Sequence, residues 1–365
     1  MAGSDKLGAT KFKLGNRTIF QWCLGFALYA TLAFAVGLFL SDRFSDGVST
    51  GTLVTFLKEM GWAVKQGIFA YELYTIAVIL LSLTYFLPRA NPEENSLSKG
   101  LAIDIIYSFF ARPFFLLFLP FYLSYLKSEL AALPFIPNES LSQGLPIWLA
   151  PFIAFILTDF LMWFNHMIRH RIGYFWHFHA VHHSQERMNP FTTARLHPID
   201  WMIAQHIIII PVLLLTNSVS AVLFLTIFYR FWDSMIHTNL DLKLGPLNYV
   251  FVSPQMHRIH HSINPDHIGH NFGSTLSVWD RMFGTLHSDT KTHPKTGVSK
   301  EEGFPSELDY GWHQLPLVWF AQQIHPVLRS LNIDSRPTIS FLLGQKHPPH
   351  LSKRSVTTTA KRLNP

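Results

Sequence analysis

The chain has 365 residues, of which 48% are hydrophobic and only 14% are charged, with 32 Phe and a formal net charge of +6. This apolar balance argues against two soluble globular domains, although the length would allow them. No basic patch interleaved with aromatic side chains appears, which argues against nucleic-acid binding. The positive charge lies in the loops and the tail, as expected for a chain beside a membrane. A single cysteine, Cys23, excludes an internal disulfide.

Four apolar stretches follow one another in the first half of the chain. Ile19–Leu40 is 22 residues without a charge, and crossing a bilayer takes about 20 apolar residues. The others are Gly67–Leu87, Leu101–Leu126 and Leu145–Phe164. We therefore expect a short N-terminal segment at 1–18 and about four transmembrane helices within 19–164, the first being a retained anchor rather than a cleaved signal.

Charged residues interrupt three of these stretches. Glu72, Asp104 and Arg112 are interpreted as helix-packing pairs or interfacial positions, because charges within a span need a partner or a cavity. Asp159 lies seven residues, two helical turns, before His166 and so shares its helix face. We expect Asp159 to support chemistry at that histidine.

The distribution of basic residues predicts the orientation of the chain. Lys6, Lys11, Lys13 and Arg17 precede the first stretch, which favours a cytoplasmic N-terminus. Four crossings then return the chain to the cytoplasm before residue 165. The expectation is an integral, multi-pass membrane protein with its active site on the cytoplasmic face, in the inner membrane if bacterial and in the endoplasmic reticulum if eukaryotic.

A second apolar region lies within the segment 165–290. Its arms, Ile203–Leu215 and Val219–Phe231, are each 13 residues and are separated by Thr216-Asn217-Ser218. Each arm is too short to span, so we predict a re-entrant helical hairpin at 203–231. From 291 to 365 the chain is polar and ends in a basic tail, which we interpret as a cytoplasmic C-terminal region.

The histidines are distributed unevenly. None occurs in the first 165 residues, and three clusters then follow: His166 and His170; His179, His182 and His183; His257, His260 and His261. Residues three and four apart share a helix face, so each cluster directs two or three imidazoles together. Eight nitrogens are too many for one tetrahedral site, and they suit two adjacent metal ions.

The ligand type indicates which metal. Imidazole suits iron, zinc, copper and nickel alike, but structural zinc sites favour closed sets with cysteine, which this chain lacks. We predict a dinuclear iron centre with an open position in a cytoplasmic, histidine-rich helical cap. Zinc could occupy the site in overexpressed protein. The predicted fold class is thus all-α and membrane-integral.

The three clusters, in this order and spacing, resemble those of the membrane fatty-acid hydroxylase and sterol desaturase superfamily of di-iron oxygenases. The resemblance covers about Asp159 to Leu286, and the three-residue spacing of His166-x-x-x-His170 is closer to the sterol desaturase and alkylglycerol monooxygenase branches than to the fatty-acid 2-hydroxylases. The stretch from His237 to His261 is similar to alkylglycerol monooxygenase. By contrast, Arg195-Leu196-His197-Pro198-Ile199-Asp200 is closer to the sterol desaturases.

The resemblance implies roles for residues beyond the eight clustered histidines, which become metal ligands. His237 would be a ninth ligand and His270 a tenth, while the Asp233 carboxylate would accept the other ring N–H of His237. His197 would brace the site or bind substrate, or else stabilise a turn.

The resemblance also implies a reaction: O2 and two electrons would hydroxylate or desaturate a C–H bond of a lipid or sterol. The chain contains no dinucleotide fingerprint and no cysteine set for haem or iron–sulfur, so electrons would come from an electron-carrier protein or a reduced pterin. The alternative is a histidine-rich membrane metal transporter or metal-binding protein. Transporters bind their substrates at the bilayer midplane on broken helices, whereas these clusters follow the spans among Arg169, Arg171, Arg187 and Arg258.

Overall fold

The computed structural model describes residues 71–94, 97–109, 146, 149–204, 219–242, 244–289 and 291–344. The first predicted span, most of the third, the first arm and turn of the hairpin, Arg112 and the basic tail lie outside these residues. The described part is mainly helical and contains no β-strand, only three isolated bridges. An all-α fold is therefore what the described residues form.

Ten helices occur in this part of the chain. They are α1 Tyr71–Phe86, α2 at 99–109, α3 Leu149–Arg171, α4 Gly173–His183, α5 at 198–204, α6 Val219–Ile236, α7 Pro254–His260, α8 Val278–Met282, α9 Leu315–Ser330 and α10 Arg336–Leu343. Single 3-10 turns connect them, the longest at Pro190–Ala194 and Gly245–Tyr249.

By length and composition, one helix of the described part could cross a membrane: Phe152–Arg171, within α3. A core helix of a soluble protein passes the same test, so the four-span topology stays a prediction. The apolar part of α1, Ile76–Phe86, is shorter. Its exposed side chains include Ile79, Tyr85 and Phe86, the last 82% exposed, and such an apolar surface suits contact with lipid or with another protein.

Helix α3 ends where the chain turns to begin α4. Arg169, His170 and Arg171 occupy its last turn, where cationic groups favour the negative end of the helix dipole. Ile172 then adopts an extended conformation (φ −98°, ψ 109°) and α4 starts at Gly173. This break packs α4 back against α3, so the first two histidine clusters lie side by side.

The C-terminal helices pack onto α4 and do not form a separate unit. One buried apolar cluster joins α2, α4, α9 and α10 through Ile103, Val181, Val318 and Ile339. Beside it lies a buried ion pair, in which Arg195 Nε donates to Asp104 Oδ1 at 2.6 Å and Nη2 donates to Glu307 Oε1 at 2.8 Å. Asp104 is thus a helix-packing partner, as its position within an apolar stretch predicts.

Candidate metal centre

Nine buried histidines form two groups whose ring nitrogens lie within 4.8 Å of one another. Group one contains His166, His170, His179, His183 and His260, and group two contains His182, His237, His257 and His261. The groups adjoin, because the rings of His183 and His261 stack with 4.2 Å between centroids. All eight clustered histidines and His237 are therefore brought together.

Three helices, α3, α4 and α7, supply the clustered histidines to the two groups. Helix α3 supplies His166 and His170, one turn apart, to group one. On α4, His179 and His183 face group one while His182 faces group two. On α7 the arrangement is reversed, since His257 and the capping residue His261 face group two and His260 faces group one. Ser253 fixes the start of α7, where its side chain accepts from Met256 N and Pro254 occupies the first turn.

In group two the Nε2 atoms point at one another. The distance is 3.2 Å from His182 to His237, 3.0 Å from His237 to His257 and 3.1 Å from His257 to His261. Two nitrogens bound about 2.1 Å from one ion at near-tetrahedral angles lie about 3.4 Å apart. The spacing of these four nitrogens therefore fits a shared metal ion.

Group one has the same character. The Nε2 atoms of His183 and His260 are 3.2 Å apart, and those of His166, His170 and His179 have no hydrogen-bond partner among the described residues. Buried polar atoms normally have a partner, and a metal ion would accept the lone pairs of these three nitrogens. The all-imidazole donor set suits iron and zinc equally.

Burial sets the protonation state of these side chains. Desolvation lowers the pKa of His179, His182, His183, His257 and His261 well below the ordinary value of 6.5. The pKa of His260 falls to about 4 for the same reason. These rings are consequently neutral at pH 7, and a neutral imidazole can donate a lone pair to a metal.

Main-chain carbonyls orient three of the rings. Nδ1–H of His166 donates to the Phe272 carbonyl at 2.8 Å, and that of His260 donates to the His270 carbonyl at 2.9 Å. His237 Nδ1 donates to the Asp233 carbonyl at 2.6 Å. Each bond assigns the proton to Nδ1 and leaves Nε2 facing its group.

A carboxylate orients a fourth ring. His179 Nδ1 lies 3.1 Å from Asp200 Oδ2, which also accepts from Arg169 Nη1 at 3.0 Å. Sequence reasoning did not assign this role to Asp200. The signal was present in His197-Pro198-Ile199-Asp200, where an acid begins a helix directly after a His-Pro pair.

The loop that provides two of these carbonyls is held from two sides. Asn271, between them, has a φ of 57° and donates through Nδ2 to the Met256 carbonyl at 3.1 Å. Asp280 accepts from the main-chain N–H of Phe272 and Gly273 at 2.9 and 2.8 Å, and from Trp163 Nε1 on α3 at 3.0 Å. Asp280 thereby fixes this loop against the helix that carries the first two histidines.

The remaining predicted site residues are not members of either group. Asp159 is buried and accepts from Trp279 Nε1 at 2.8 Å and from Leu276 N at 3.2 Å, so it holds the segment before α8 and does not bond a clustered histidine. The Asp233 carboxylate also differs from expectation. Its Oδ1 is 3.6 Å from His237 Nδ1, while the carbonyl of the same residue makes the closer contact and Oδ2 accepts from Thr193.

His197 and His270 are in neither group. His197 Nδ1 accepts from Ile199 N at 3.1 Å, and Nε2 donates to the Gln323 carbonyl at 3.2 Å. Both of its nitrogens thus stabilise the turn and its contact with α9. The ring of His270 instead neighbours that of His287, at 5.6 Å between centroids, and only its carbonyl reaches the centre.

A cavity of about 300 Å³ opens on both groups between α3, α5 and α6. His166, His179, His182 and His257 form its inner end, and Met162, Leu196, Trp201 and Tyr229 contribute apolar and aromatic wall. Polar and charged side chains, among them Arg169, Thr193, Arg230 and Asp233, also line it. A cavity that combines apolar wall with convergent polar groups is typical of a small-molecule site.

Comparison with known proteins bears on the same segment. Residues 151–285, which contain both histidine groups, match the fatty acid hydroxylase family model. This segment is therefore similar to the fatty acid hydroxylases.

The chain is also similar to curated proteins. The chain is 32% identical over 136 residues to ornithine lipid hydroxylase OlsE of Rhizobium tropici and 36% identical over 150 residues to alkylglycerol monooxygenase of Danio rerio. It is 29% identical over 155 residues to methylsterol monooxygenase 1 of Rattus norvegicus. These matches cover 37%, 39% and 42% of this chain, and the chain spans 41%, 33% and 50% of the respective relatives. No solved structure matches this chain.

Proposed function

We propose that this protein is a membrane-bound, O2-dependent oxidoreductase that holds two iron ions and hydroxylates or desaturates a C–H bond of a lipid or sterol. The observation that carries the proposal is the pair of adjacent histidine groups, nine buried side chains, that open on one cavity. The names of the relatives support the substrate class, since they are hydroxylases or monooxygenases of an ornithine lipid, an alkylglycerol and a methylsterol.

Iron bound by the two groups would supply the oxidising power that an unactivated C–H bond requires, because such a bond offers no handle to an acid, a base or a nucleophile. The residues of the chain do the rest. Group one would hold one ion through His166, His170, His179, His183 and His260, and group two the other through His182, His237, His257 and His261. The carbonyls of residues 233, 270 and 272 and the Asp200 carboxylate keep four of these rings directed inward.

The cavity walls exclude water from the reacting atoms and place the substrate. A dry pocket strengthens every electrostatic contact within it and limits side reactions. Helices α3 and α6 supply much of the wall, and the predicted hairpin at 203–231 would open this cavity to the lipid phase, from which an apolar substrate enters.

Electrons would reach the centre from outside the chain. No dinucleotide fingerprint and no cysteine set for haem or iron–sulfur occurs in the 365 residues. We propose an electron-carrier protein or a reduced pterin as the donor, acting at the cytoplasmic face of a multi-pass protein. A carrier with an acidic surface would complement the chain's positive charge.

The test is comparative lipidomics under 18O2. Cells that express the protein are compared with cells that express the His260→Ala variant. A lipid that gains one 18O atom indicates hydroxylation, and one that loses two hydrogens indicates desaturation. If neither appears in the expressing cells, and vesicles containing the protein show metal flux, the proposal is wrong and a transporter is favoured.

A further inference from the structure

Asn165 is a buried amide that faces the cavity beside the metal centre. It lies on α3 directly before His166, is 1% exposed, and lines the cavity. Neither its Nδ2 nor its Oδ1 has a hydrogen-bond partner among the described residues. An unpaired amide is thus held at the inner end of a pocket, beside the histidines.

Burying such a side chain costs free energy unless another group forms hydrogen bonds with it. An amide offers two donors and one acceptor, and leaving buried polar atoms without partners is unfavourable by about 1–3 kcal/mol for each group. A leucine would occupy a similar volume without this cost. A molecule bound in the cavity would supply the hydrogen-bond partner that Asn165 lacks.

The helix geometry places this amide relative to the rest of the cavity. Thr158, Met162, Asn165, His166 and Arg169 all line the cavity, at spacings that put them on one face of α3. Besides the Asn165 amide, Thr158 Oγ1, His166 Nε2 and Arg169 Nε on this wall have no hydrogen-bond partner in the described part. Seven residues of helix separate Thr158 from Asn165 by about 10 Å, so Asn165 is at the metal end.

We propose that Asn165 binds a hydroxyl group of the substrate next to the C–H bond that is oxidised, so that the substrate is a lipid alcohol and not a bare hydrocarbon chain. This inference rests on the proposed function and identifies the substrate class within it. The Asn165 amide and a hydroxyl group are complementary, because Asn165 presents both a donor and an acceptor. A hydroxyl oxygen both accepts and donates at a single atom.

Other lipid groups match less well. A carboxylate only accepts and would leave Oδ1 unpaired. An ammonium group only donates and would leave Nδ2 unpaired. A trans secondary amide presents its N–H and C=O on opposite edges, so a single asparagine meets only one of them.

The experiment measures lipid retention by purified, iron-loaded protein. The probe is the total lipid extract of the host membrane, used untreated and after its hydroxyl groups have been methylated. The wild type should retain a hydroxyl-bearing lipid from the untreated extract and at least about tenfold less of the methylated form, as expected when a hydrogen bond is lost and a buried amide is left unpaired.

The variant Asn165→Leu should retain the two forms equally. Phe164→Leu, at an exposed position of α3 that does not line the cavity, should keep the wild-type ratio between them. Iron content and melting temperature are measured for each variant to show that it is folded and loaded. A purely structural role of Asn165 would change these two values and leave the retention ratio unaltered. If Asn165→Leu does not accumulate, Asn165→Ala takes its place. If neither variant accumulates, the comparison of the two extracts on the wild type decides.

The outcomes separate the two proposals. Equal retention of both extracts by the wild type, as expected if only water pairs with Asn165, overturns the inference while leaving the proposed function intact. The same holds if Asn165→Leu discriminates as the wild type does. If the wild type retains no lipid and forms no oxidised product, the proposed function fails and the inference falls with it.

Discussion

The Asp200 carboxylate lies 3.1 Å from Nδ1 of His179 and joins the start of α5 to the middle of α4. A carboxylate only accepts, so with Asp200 as its partner Nδ1 carries the ring proton and leaves Nε2 for group one. Arg169 Nη1 also lies 3.1 Å from this Nδ1. It donates to Asp200 Oδ2 at 3.0 Å, which balances the buried charge. A second element of the chain thus sets the orientation of one histidine in group one.

Substitution of Asp200 should weaken group one selectively. In Asp200→Asn the affinity for the ion of group one should fall about 10–100-fold, the usual cost of losing a partner of a ligand. Group two should keep its ion, since none of its rings contacts this residue. The measurement is iron retained against a competing chelator.

The matched control is Asp233→Asn. His237 donates to the Asp233 carbonyl, which this substitution leaves in place, so iron affinity should stay close to that of the wild type. A loss in Asp233→Asn equal to that in Asp200→Asn would show that the carboxylate of Asp233 acts on His237 after all.

Asp280 should matter for metal binding although it touches none of the nine histidines. Asp280→Asn replaces an acceptor of the Phe272 and Gly273 N–H groups with a side chain that also donates, so the loop that orients His166 and His260 should shift. We expect group one to lose iron while group two retains it, as read by metal analysis of folded protein.

Asp159→Asn provides the comparison for that result. Its bonds go to Trp279 and Leu276, farther along the chain from the two carbonyls, so iron content should change less. Equal iron loss in both variants would mean that the attachment of the whole segment to α3 matters and the carbonyl positions do not.

Acid should destabilise the metal-free protein. Burial holds the pKa of the clustered histidines on α4 and at the end of α7 below 6.5 and lowers that of His325, outside both groups, to about 3. Below pH 6.5 the unfolded chain therefore binds protons that the folded chain does not, and stability falls by about 1.4 kcal/mol per pH unit for each such histidine. Above that pH these groups should have little effect.

Melting temperatures at pH 7.5 and 5.5 check this expectation. The metal-free protein should melt lower at pH 5.5, and His325→Leu should reduce the difference by the share of one histidine. Stability that is flat or rises on acidification would show that these rings are not held neutral.

The buried pair around Arg195 should be needed for folding. Arg195→Leu leaves Asp104 and Glu307 buried without their cation, and removing one partner of a buried pair costs about 3–5 kcal/mol. Thermal unfolding should report this loss. The exposed pair Arg336–Asp334 is the control, because Arg336→Leu should cost no more than about 1 kcal/mol. Similar losses in the two variants would contradict the account.

The sequence predicted the centre better than its surroundings. The i, i+3 and i, i+4 spacings place the eight histidines on local helix faces, and helix periodicity follows from the chain alone. The acceptors that orient the rings could not be derived in this way. Carbonyls carry no side-chain signal, so those of residues 270 and 272 are invisible in a sequence. Asp200 meets His179 only through the packing of α5 on α4.

The same limit explains Asp159 and Asp233. Helix spacing gives an approximate direction for a side chain, but its nearest partner depends on what packs there. For Asp159 that partner is the indole of Trp279, and for Asp233 it is Thr193. The fold class followed from the apolar composition. The spans at Ile19–Leu40 and most of Leu101–Leu126 lie outside the described residues, and their number stays a prediction.

The most direct test of the central claim is the iron content of folded protein, measured for the wild type and for one variant of each group. With one ion in each group, we expect about two iron equivalents per chain in the wild type. His260→Ala should retain the ion of group two, and His261→Ala should retain that of group one, so each variant should hold about one. A wild type that holds a single ion, or variants of both groups that keep two, would contradict a centre made of two separate histidine groups.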